Sequence, residues 1–307
     1  MIHVKIQPVA SRDRQFAFHK KTLYVERGTP NQSRPMNTLL ILPVLFFFAF
    51  LQSPRESSSA LIVSTIYGHA RTAVDRALRS HGGIIRMDPA QKVIYLTLTG
   101  HEFADGGAVI RATLQRHRVR ASFFFTGDFY RATQHRTLIE DLLGDGHYLG
   151  AHSDRHLLYC SWENRDSLLV SREQFLKDLE DNYAEMQRFG IDAARAPFFM
   201  PPFEWYNDSI SGWTHEAGFT LVNFTPGTSS NADYTTPDMS GRYVSSDSIL
   251  ARILRYETTD PFGLNGFILL LHLGTDPRRP DPMYDRLDEL LTELLRRGYR
   301  FNSLPRP

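Results

Sequence analysis

The chain has 307 residues, of which 42% are hydrophobic and 22% are charged, and its formal net charge is +1. This composition is ordinary for a soluble globular protein, and it excludes both a disordered chain and an integral membrane bundle. A net charge so close to zero produces no long-range field that would gather an anionic polymer, so no nucleic-acid partner is expected.

An apolar run from Thr38 to Leu51 is the first recognisable feature of the chain. At roughly 14 residues it is shorter than the about 20 that span a bilayer, and this length suits the core of a secretory signal. We therefore predict an exported protein, periplasmic or extracellular, in which residues 36–60 are a signal peptide or a membrane anchor. A membrane contact is expected only through this segment, if it stays uncleaved. Residues 1–35 are mixed and aperiodic, which predicts a disordered or non-native extension.

Residues 61–90 predict a helical lead-in, with apolar residues at helical spacing up to Leu78 and a stop at His81-Gly82-Gly83. From 91 to 307, strand-like and helix-like segments alternate, which predicts one domain with a parallel sheet, covered on both faces or closed into a barrel. The predicted strands are 92–99, 121–126, 148–151, 198–200, 220–223 and 266–272. The predicted helices are 108–117, 137–143, 171–189, 209–217, 247–256 and 283–297.

Residues able to carry chemistry gather at the ends of the predicted strands. In parallel α/β folds the loops after the strands open on one face, and catalytic groups collect there. The residues in such positions are His101, Asp105, His152, Pro201, Pro202, Glu204 and His272. Their shared placement predicts a single site. Cys160 is the only cysteine, so neither an internal disulfide nor a thiolate metal cluster can form.

Asp105, His152 and His156 form a candidate metal site. Two neutral imidazoles and a carboxylate are a facial set of ligands for zinc, cobalt or nickel, with open positions for water and substrate. Ser153, beside the first histidine, can hydrogen-bond locally and orient it. A pair of histidines four residues apart also occurs by chance, so the alternative is that both are surface or core residues.

Five segments, in order along the chain, resemble motifs of the polysaccharide deacetylases, carbohydrate esterase family four. His152-Ser-Asp-Arg-His156 is similar to the H-S/T-x-x-H motif, and Phe103-Ala-Asp-Gly106 is similar to a degenerate T-F-D-D-G motif. The remaining three are residues 121–127, which resemble the A-T-F-F strand, Phe199-Met-Pro-Pro-Phe203, which resembles F-R-P-P-Y, and Leu270-Leu-His272, which resembles L-x-H.

This resemblance, over about residues 92–301, implies a distorted (β/α) barrel that hydrolyses an acetyl group on a carbohydrate. It implies that Asp105, His152 and His156 hold a divalent metal, with zinc expected first and cobalt or nickel next. The metal would polarise the acetyl carbonyl and acidify the attacking water. The resemblance also gives His272 as the acid for the departing amine or alkoxide, and the backbone N–H of Phe203 as a donor to the oxyanion.

The first motif departs from the family pattern. The family's first Asp, the catalytic base, falls on Ala104, which cannot accept a proton. We prefer His101 as the base, because imidazole titrates near neutrality, with Asp105 kept as a ligand. In an alternative register Glu102 is the ligand, so Glu102 stays a candidate for either role. The position of the Arg that orients the family's base is occupied by Met200. The loss of this Arg is expected both of a site with a rebuilt base and of a site that has lost its activity.

Residues after the Pro-Pro pair are candidates for contact with substrate. Phe203 is one, and Trp205 and Tyr206 are predicted to face a sugar ring, because such rings stack on aromatic faces. Glu204 adds a carboxylate near the site, or it only caps the following turn. The leading function is therefore metal-dependent deacetylation of a polysaccharide or oligosaccharide. The alternatives are a carbohydrate-binding relative without turnover and a metal-dependent hydrolase of another non-peptide amide.

Overall fold

The structure is a computed structural model that describes residues 74–306. The predicted extension 1–35, the predicted signal or anchor 36–60 and the first part of the predicted lead-in lie outside the described residues. Within 74–306, every helix is too short or too polar to cross a bilayer.

A short antiparallel hairpin opens the described part of the chain, with β1 at Leu78–Ser80 and β2 at Gly83–Arg86. The sequence predicts a helix up to Leu78, and the structure corrects this end of it to a strand and a turn. His81 and Gly82 adopt φ values of 45° and 75°, which give the two-residue turn that matches the twist of a hairpin. Strand pairing across this turn overrides the helical spacing of the apolar residues.

A parallel sheet of seven strands, counted within the described residues, carries the site. Its order is β7-β6-β5-β4-β3-β8, and β9 pairs with the first half of β3, beyond the part that β4 covers. The strands are β3 (Val93–Gly100), β4 (Ser122–Phe125), β5 (Tyr148–Ala151), β6 (Phe198–Phe199), β7 (Thr220–Leu221), β8 (Phe267–His272) and β9 (Arg300–Asn302). The six predicted strands are all present, and β9 was not predicted.

Helices follow the strands of the sheet. They are α1 (Gly107–His117), α2 (Gly127–Arg131), α3 (Arg136–Gly144), α4 (Arg172–Gln187), α5 (Asp208–Glu216), α6 (Ser246–Thr259) and α7 (Leu287–Arg296). Six of these were predicted to within a few residues at each end. The five-residue α2 was not, because it begins directly at the end of β4, where the Thr126 hydroxyl accepts a hydrogen bond from the Phe129 N–H.

Strands β3, β4 and β5 are buried along their whole length, as expected of parallel strands covered on both faces. The curled sheet does not close by direct pairing of β7 with β8. Residues near β2 bridge this gap, since the Asn223 N–H donates to the Ile84 carbonyl and the Met87 N–H to the Gly266 carbonyl. The fold is therefore a distorted (β/α) barrel, as predicted, and the carboxyl ends of its strands open on one face.

Candidate active site

Four histidines meet where β3, β5 and β8 end. The rings of His101 and His156 stack with their centroids 4.6 Å apart, and the ring of His156 meets that of His152 at 5.1 Å in an edge-on arrangement. Burial, followed by the charges of the neighbouring histidines, lowers the pKa of His152 to about 3 and the pKa of His156 to about 2. His272 is one of those neighbours. Because both pKa values are so low, both rings are neutral at physiological pH.

His152 is held in a single orientation. Its Nδ1 lies 2.8 Å from the carbonyl oxygen of Met200. A carbonyl only accepts, so Nδ1 carries the proton and Nε2 presents a lone pair. The backbone N–H of His152 donates to the Oδ1 of Asn182 on α4, at 2.7 Å. Metal-binding histidines commonly have this arrangement, and here Met200 contributes it through its backbone rather than its side chain.

The loop from His152 to His156 contains two non-glycine residues in the left-handed region, Ser153 with φ 73° and His156 with φ 56°. Such conformations cost free energy and persist when the surroundings hold them. The Asp178 carboxylate on α4 does so, because it accepts hydrogen bonds from the backbone N–H groups of 154 and 155, at 3.2 and 3.3 Å. It also accepts one from the hydroxyl of Tyr159, at 2.6 Å. Helix α4 therefore determines where His156 lies.

His272, the last residue of β8, is paired with the buried carboxylate of Asp233. Its Nδ1 lies 2.6 Å from Oδ1 of Asp233, and its backbone N–H donates to Oδ2 at 2.8 Å. Burial lowers the pKa of His272, but the charge of Asp233 and its hydrogen bond outweigh this, so the pKa is raised. The imidazole therefore keeps its proton to a higher pH than a free histidine. Sequence reasoning missed Asp233, for which the only signal was a polar loop after a strand.

Glu204 is a second acid close to His272. Burial raises the pKa of Glu204 to about 7, the charge of His272 opposes this, and Asp233 adds to it. The side chain of Asn207, rather than Glu204, caps α5 by accepting from the Ile210 N–H. Glu204 therefore does not serve as the turn cap that the sequence left open, and it changes charge near neutral pH.

Phe203 packs against His156. Its ring centroid is 4.4 Å from that of His156, and 42% of the residue is exposed. Phe203 and Glu204 both have positive φ, 58° and 52°. The N–H groups of Glu204 and Trp205 donate to the carbonyls of Pro201 and Pro202, which leaves the Phe203 N–H outside this turn's own hydrogen bonds.

Trp205 and Tyr206, the other two aromatic residues predicted to contact a sugar, are less exposed than Phe203. Trp205 is partly buried, and its Nε1 donates to the carbonyl of Ser161 at 3.1 Å. Tyr206 is buried, and its hydroxyl donates to the carbonyl of Ser80 in β1 at 2.8 Å. The sequence predicts that Tyr206 faces substrate, and the structure instead packs it against the hairpin. Its hydroxyl finds a partner there, so it has no need of one outside.

Asp105 is turned towards the loop after β8. Its carboxylate accepts hydrogen bonds from the Thr275 N–H at 2.9 Å and from the Tyr284 hydroxyl at 2.5 Å. A side chain at position 274 would collide with it, so Gly274 is what allows this approach. Both oxygens are thus used to tie the loop after β3 to the loop after β8. Glu102, the other candidate in this loop, is exposed.

The residues present do not fit the Asp-His-His metal set that the sequence predicts. Within 74–306, no group of three or more His, Cys, Asp or Glu side chains is arranged to hold a metal ion. His101 does not complete the set with His152 and His156, because its ring and that of His156 are within 7° of parallel and their lone pairs do not converge. His152 has the orientation of a ligand, while Asp105 is engaged elsewhere.

Comparisons with known proteins agree with the motifs. The sequence model of the polysaccharide deacetylase family matches residues 86–222. A peptidoglycan-N-acetylglucosamine deacetylase from Bacillus cereus is 25% identical over 189 residues, which are 61% of this chain and 75% of that protein. A carbohydrate esterase family 4 pseudoenzyme from Bacillus anthracis is 18% identical, with a TM-score of 0.56 over 74% of this chain and 68% of its own. A family 4 acetyl xylan esterase from Clostridium thermocellum, in complex with a cobalt ion, is 20% identical, with a TM-score of 0.54 over 69% of this chain and 88% of its own.

Proposed function

Because the chain is a divergent member of the polysaccharide deacetylase family, we propose that it hydrolyses acetyl groups on a polysaccharide. The observation that carries this proposal is the pairing of His272, which is partly exposed, with the buried carboxylate of Asp233. A histidine that keeps its proton is the acid that a departing amine or alkoxide requires. A protein that only binds carbohydrate has no need of such an acid beside its other histidines.

In the proposed reaction, water attacks the acetyl carbonyl, the C–N or C–O bond breaks, and His272 protonates the group that leaves. We propose His101 as the base that takes the proton of the water. Its Nδ1 lies 3.2 Å from the hydroxyl oxygen of Thr126, which can accept a hydrogen bond from a protonated Nδ1. The lone pair of Nε2 is then free to take the proton of the water. The backbone N–H of Phe203 is the proposed donor to the developing oxyanion. Glu102 is the substitute for His101.

No step of this proposal runs through a metal ion, because the described residues do not fit the predicted set. His152 and His156 are the pair to test for a divalent ion, with zinc first and cobalt or nickel next. Both are neutral, as metal-binding histidines must be.

The proposed substrate is an N-acetylated or O-acetylated glycan outside the cytoplasm. The Bacillus cereus relative is named for N-acetylglucosamine units of peptidoglycan, which makes oligomers of that sugar the first substrates to try. The proposed signal or anchor over 36–60 would bring the protein to such a substrate.

A second candidate function is carbohydrate binding without turnover. Two observations favour it: both oxygens of Asp105 are bound within the protein, and a protein of the same fold from Bacillus anthracis is a pseudoenzyme. In that case the histidines and the residues around them would serve recognition alone.

Acetate release from N-acetylglucosamine oligomers and from acetylated xylan tests the proposal, with zinc, cobalt or nickel added back after chelation. We expect release that His272→Ala lowers at least about 100-fold. His117→Ala is a matched control, since His117 also contacts an aspartate, Asp288, at 2.8 Å but lies on α1. Binding without release would favour the second candidate, and neither binding nor release would refute both.

A further inference from the structure

Two exposed aromatic rings form a surface beside the histidines. Trp162 and Phe203 are 45% and 42% exposed, and their ring centroids are 5.7 Å apart. Because Phe203 also covers His156, this surface begins at the histidines and continues outward to Trp162. Large exposed rings that adjoin one another and a polar site are typical of a surface that binds a ligand.

Trp205 supports this surface from the protein side. Its ring centroid lies 5.4 Å from that of Trp162, and its Nε1 is bonded to the carbonyl of Ser161. The guanidinium of Arg165 lies 3.6 Å from the centroid of the Trp205 ring, in cation–π contact. Trp205 therefore fixes the position of Trp162, which is the ring left open to solvent.

The loop that carries Trp162 is closed by its own backbone. The Ser161 N–H donates to the carbonyl of Ser167 at 2.9 Å, and the Leu169 N–H to that of Tyr159 at 2.8 Å. From outside the loop, the Asn207 side chain donates to the carbonyl of Arg165 at 3.0 Å. Since the ring is already held in place, a ligand that stacks on it would lose little conformational entropy in the protein.

We propose that Trp162 and Phe203 form a subsite for the sugar ring next to the acetylated unit, so that the ligand is an oligosaccharide of at least two units. The C–H face of a pyranose packs on an aromatic ring, and the surface is continuous with the histidines where the acetyl group would lie. The subsite rests on the proposed function in one respect, which is that the sugar unit bound at the histidines is the acetylated one. It applies equally to a hydrolase and to a binding protein.

Calorimetry with N-acetylglucosamine and its oligomers of two to five units tests the subsite. We expect wild-type affinity to rise between one unit and two or more. Trp162→Ala should weaken binding of the oligomers about tenfold and leave that of the monosaccharide unchanged. Trp162→Phe should retain most of the affinity. Phe262→Ala is the matched control, because Phe262 is 46% exposed but precedes β8, at the end of that strand away from His272.

The subsite is overturned if Trp162→Ala binds the oligomers as tightly as the wild type. It is also overturned if the variant weakens the monosaccharide and the oligomers equally, because the ring would then contact the acetylated unit itself. Length-dependent binding without acetate release would refute the hydrolase and keep the subsite. Acetate release that Trp162→Ala leaves unchanged at every oligomer length would keep the hydrolase and refute the subsite.

Discussion

Replacement of Asp233 by asparagine should remove the property on which the proposed acid role of His272 depends. With a neutral amide at 233, burial remains and the larger compensating charge is gone, while only Glu204 still raises the pKa, so the pKa of His272 should fall. The ring would then lose its proton at a lower pH than in the wild type. We expect acetate release to drop about 100-fold or more, the usual contribution of a positioned acid.

The loss of stability caused by the same substitution should depend on pH. In the wild type the pKa of folded His272 is raised, so the pair stabilises the fold fully below the ordinary histidine pKa of about 6.5. That contribution is lost as the pH rises through the raised value. Asp233→Asn should therefore lower the free energy of unfolding more at pH 5 than at pH 9, by about 1 to 3 kcal/mol for one hydrogen bond to a charged group.

Proton NMR of the His272 ring across pH measures its titration, and urea unfolding at the two pH values measures the stability difference. The control is Asp288→Asn, which breaks the half-exposed contact with His117 and should change the stability little. The reasoning is refuted if His272 titrates at the same pH in Asp233→Asn as in the wild type. It is equally refuted if the loss of stability is the same at pH 5 and pH 9.

Substitutions at four further positions test how the site is supported. Asp105→Asn and Tyr284→Phe should each lower the free energy of unfolding by about 1 to 2 kcal/mol, because each weakens the hydrogen bond between the two side chains. Zinc affinity, measured by equilibrium dialysis, should stay unchanged in Asp105→Asn. A loss of zinc affinity would instead identify Asp105 as a ligand. Asn182→Ala should lower acetate release, because it removes the shorter of the two hydrogen bonds of the His152 N–H and leaves only the one to the Phe125 carbonyl; Asn182→Asp, which keeps the acceptor, should restore part of it. Glu204→Gln should raise the thermal stability above pH 7 and not at pH 5, because it removes a carboxyl group whose raised pKa, about 7, makes its ionisation costly in the folded state.

The barrel could be predicted because its central strands have a strong local signal. β3 and β4 are runs of β-branched and aromatic residues that are buried along their whole length, so their position and parallel arrangement followed from pattern alone. The same pattern put His101, His152 and His272 at the ends of strands, and the structure brings these three together. Strand ends in a parallel sheet share an edge, whatever the details of packing.

Three features could not be read from the sequence, because each depends on a partner distant along the chain. Asp233 lies in a short turn 39 residues before His272, with no spacing rule that links the two. The orientation of Asp105 depends on Tyr284, which is 179 residues later. Tyr206 is buried because its hydroxyl meets β1, a strand that the helical spacing of the lead-in had concealed.

The two halves of the site differ in how completely they are built. The half at the end of β8 has His272 hydrogen-bonded to the buried carboxylate of Asp233, and an ion pair with a buried member seldom stabilises a fold more than apolar residues of the same size would. Its presence is therefore better explained by chemistry than by stability. The other half has an oriented His152, but Asp105 already has two partners within the protein and gains stability from them. If the site turns over without Asp105 as a metal ligand, its nucleophilic water needs another base, for which we propose His101, stacked on His156.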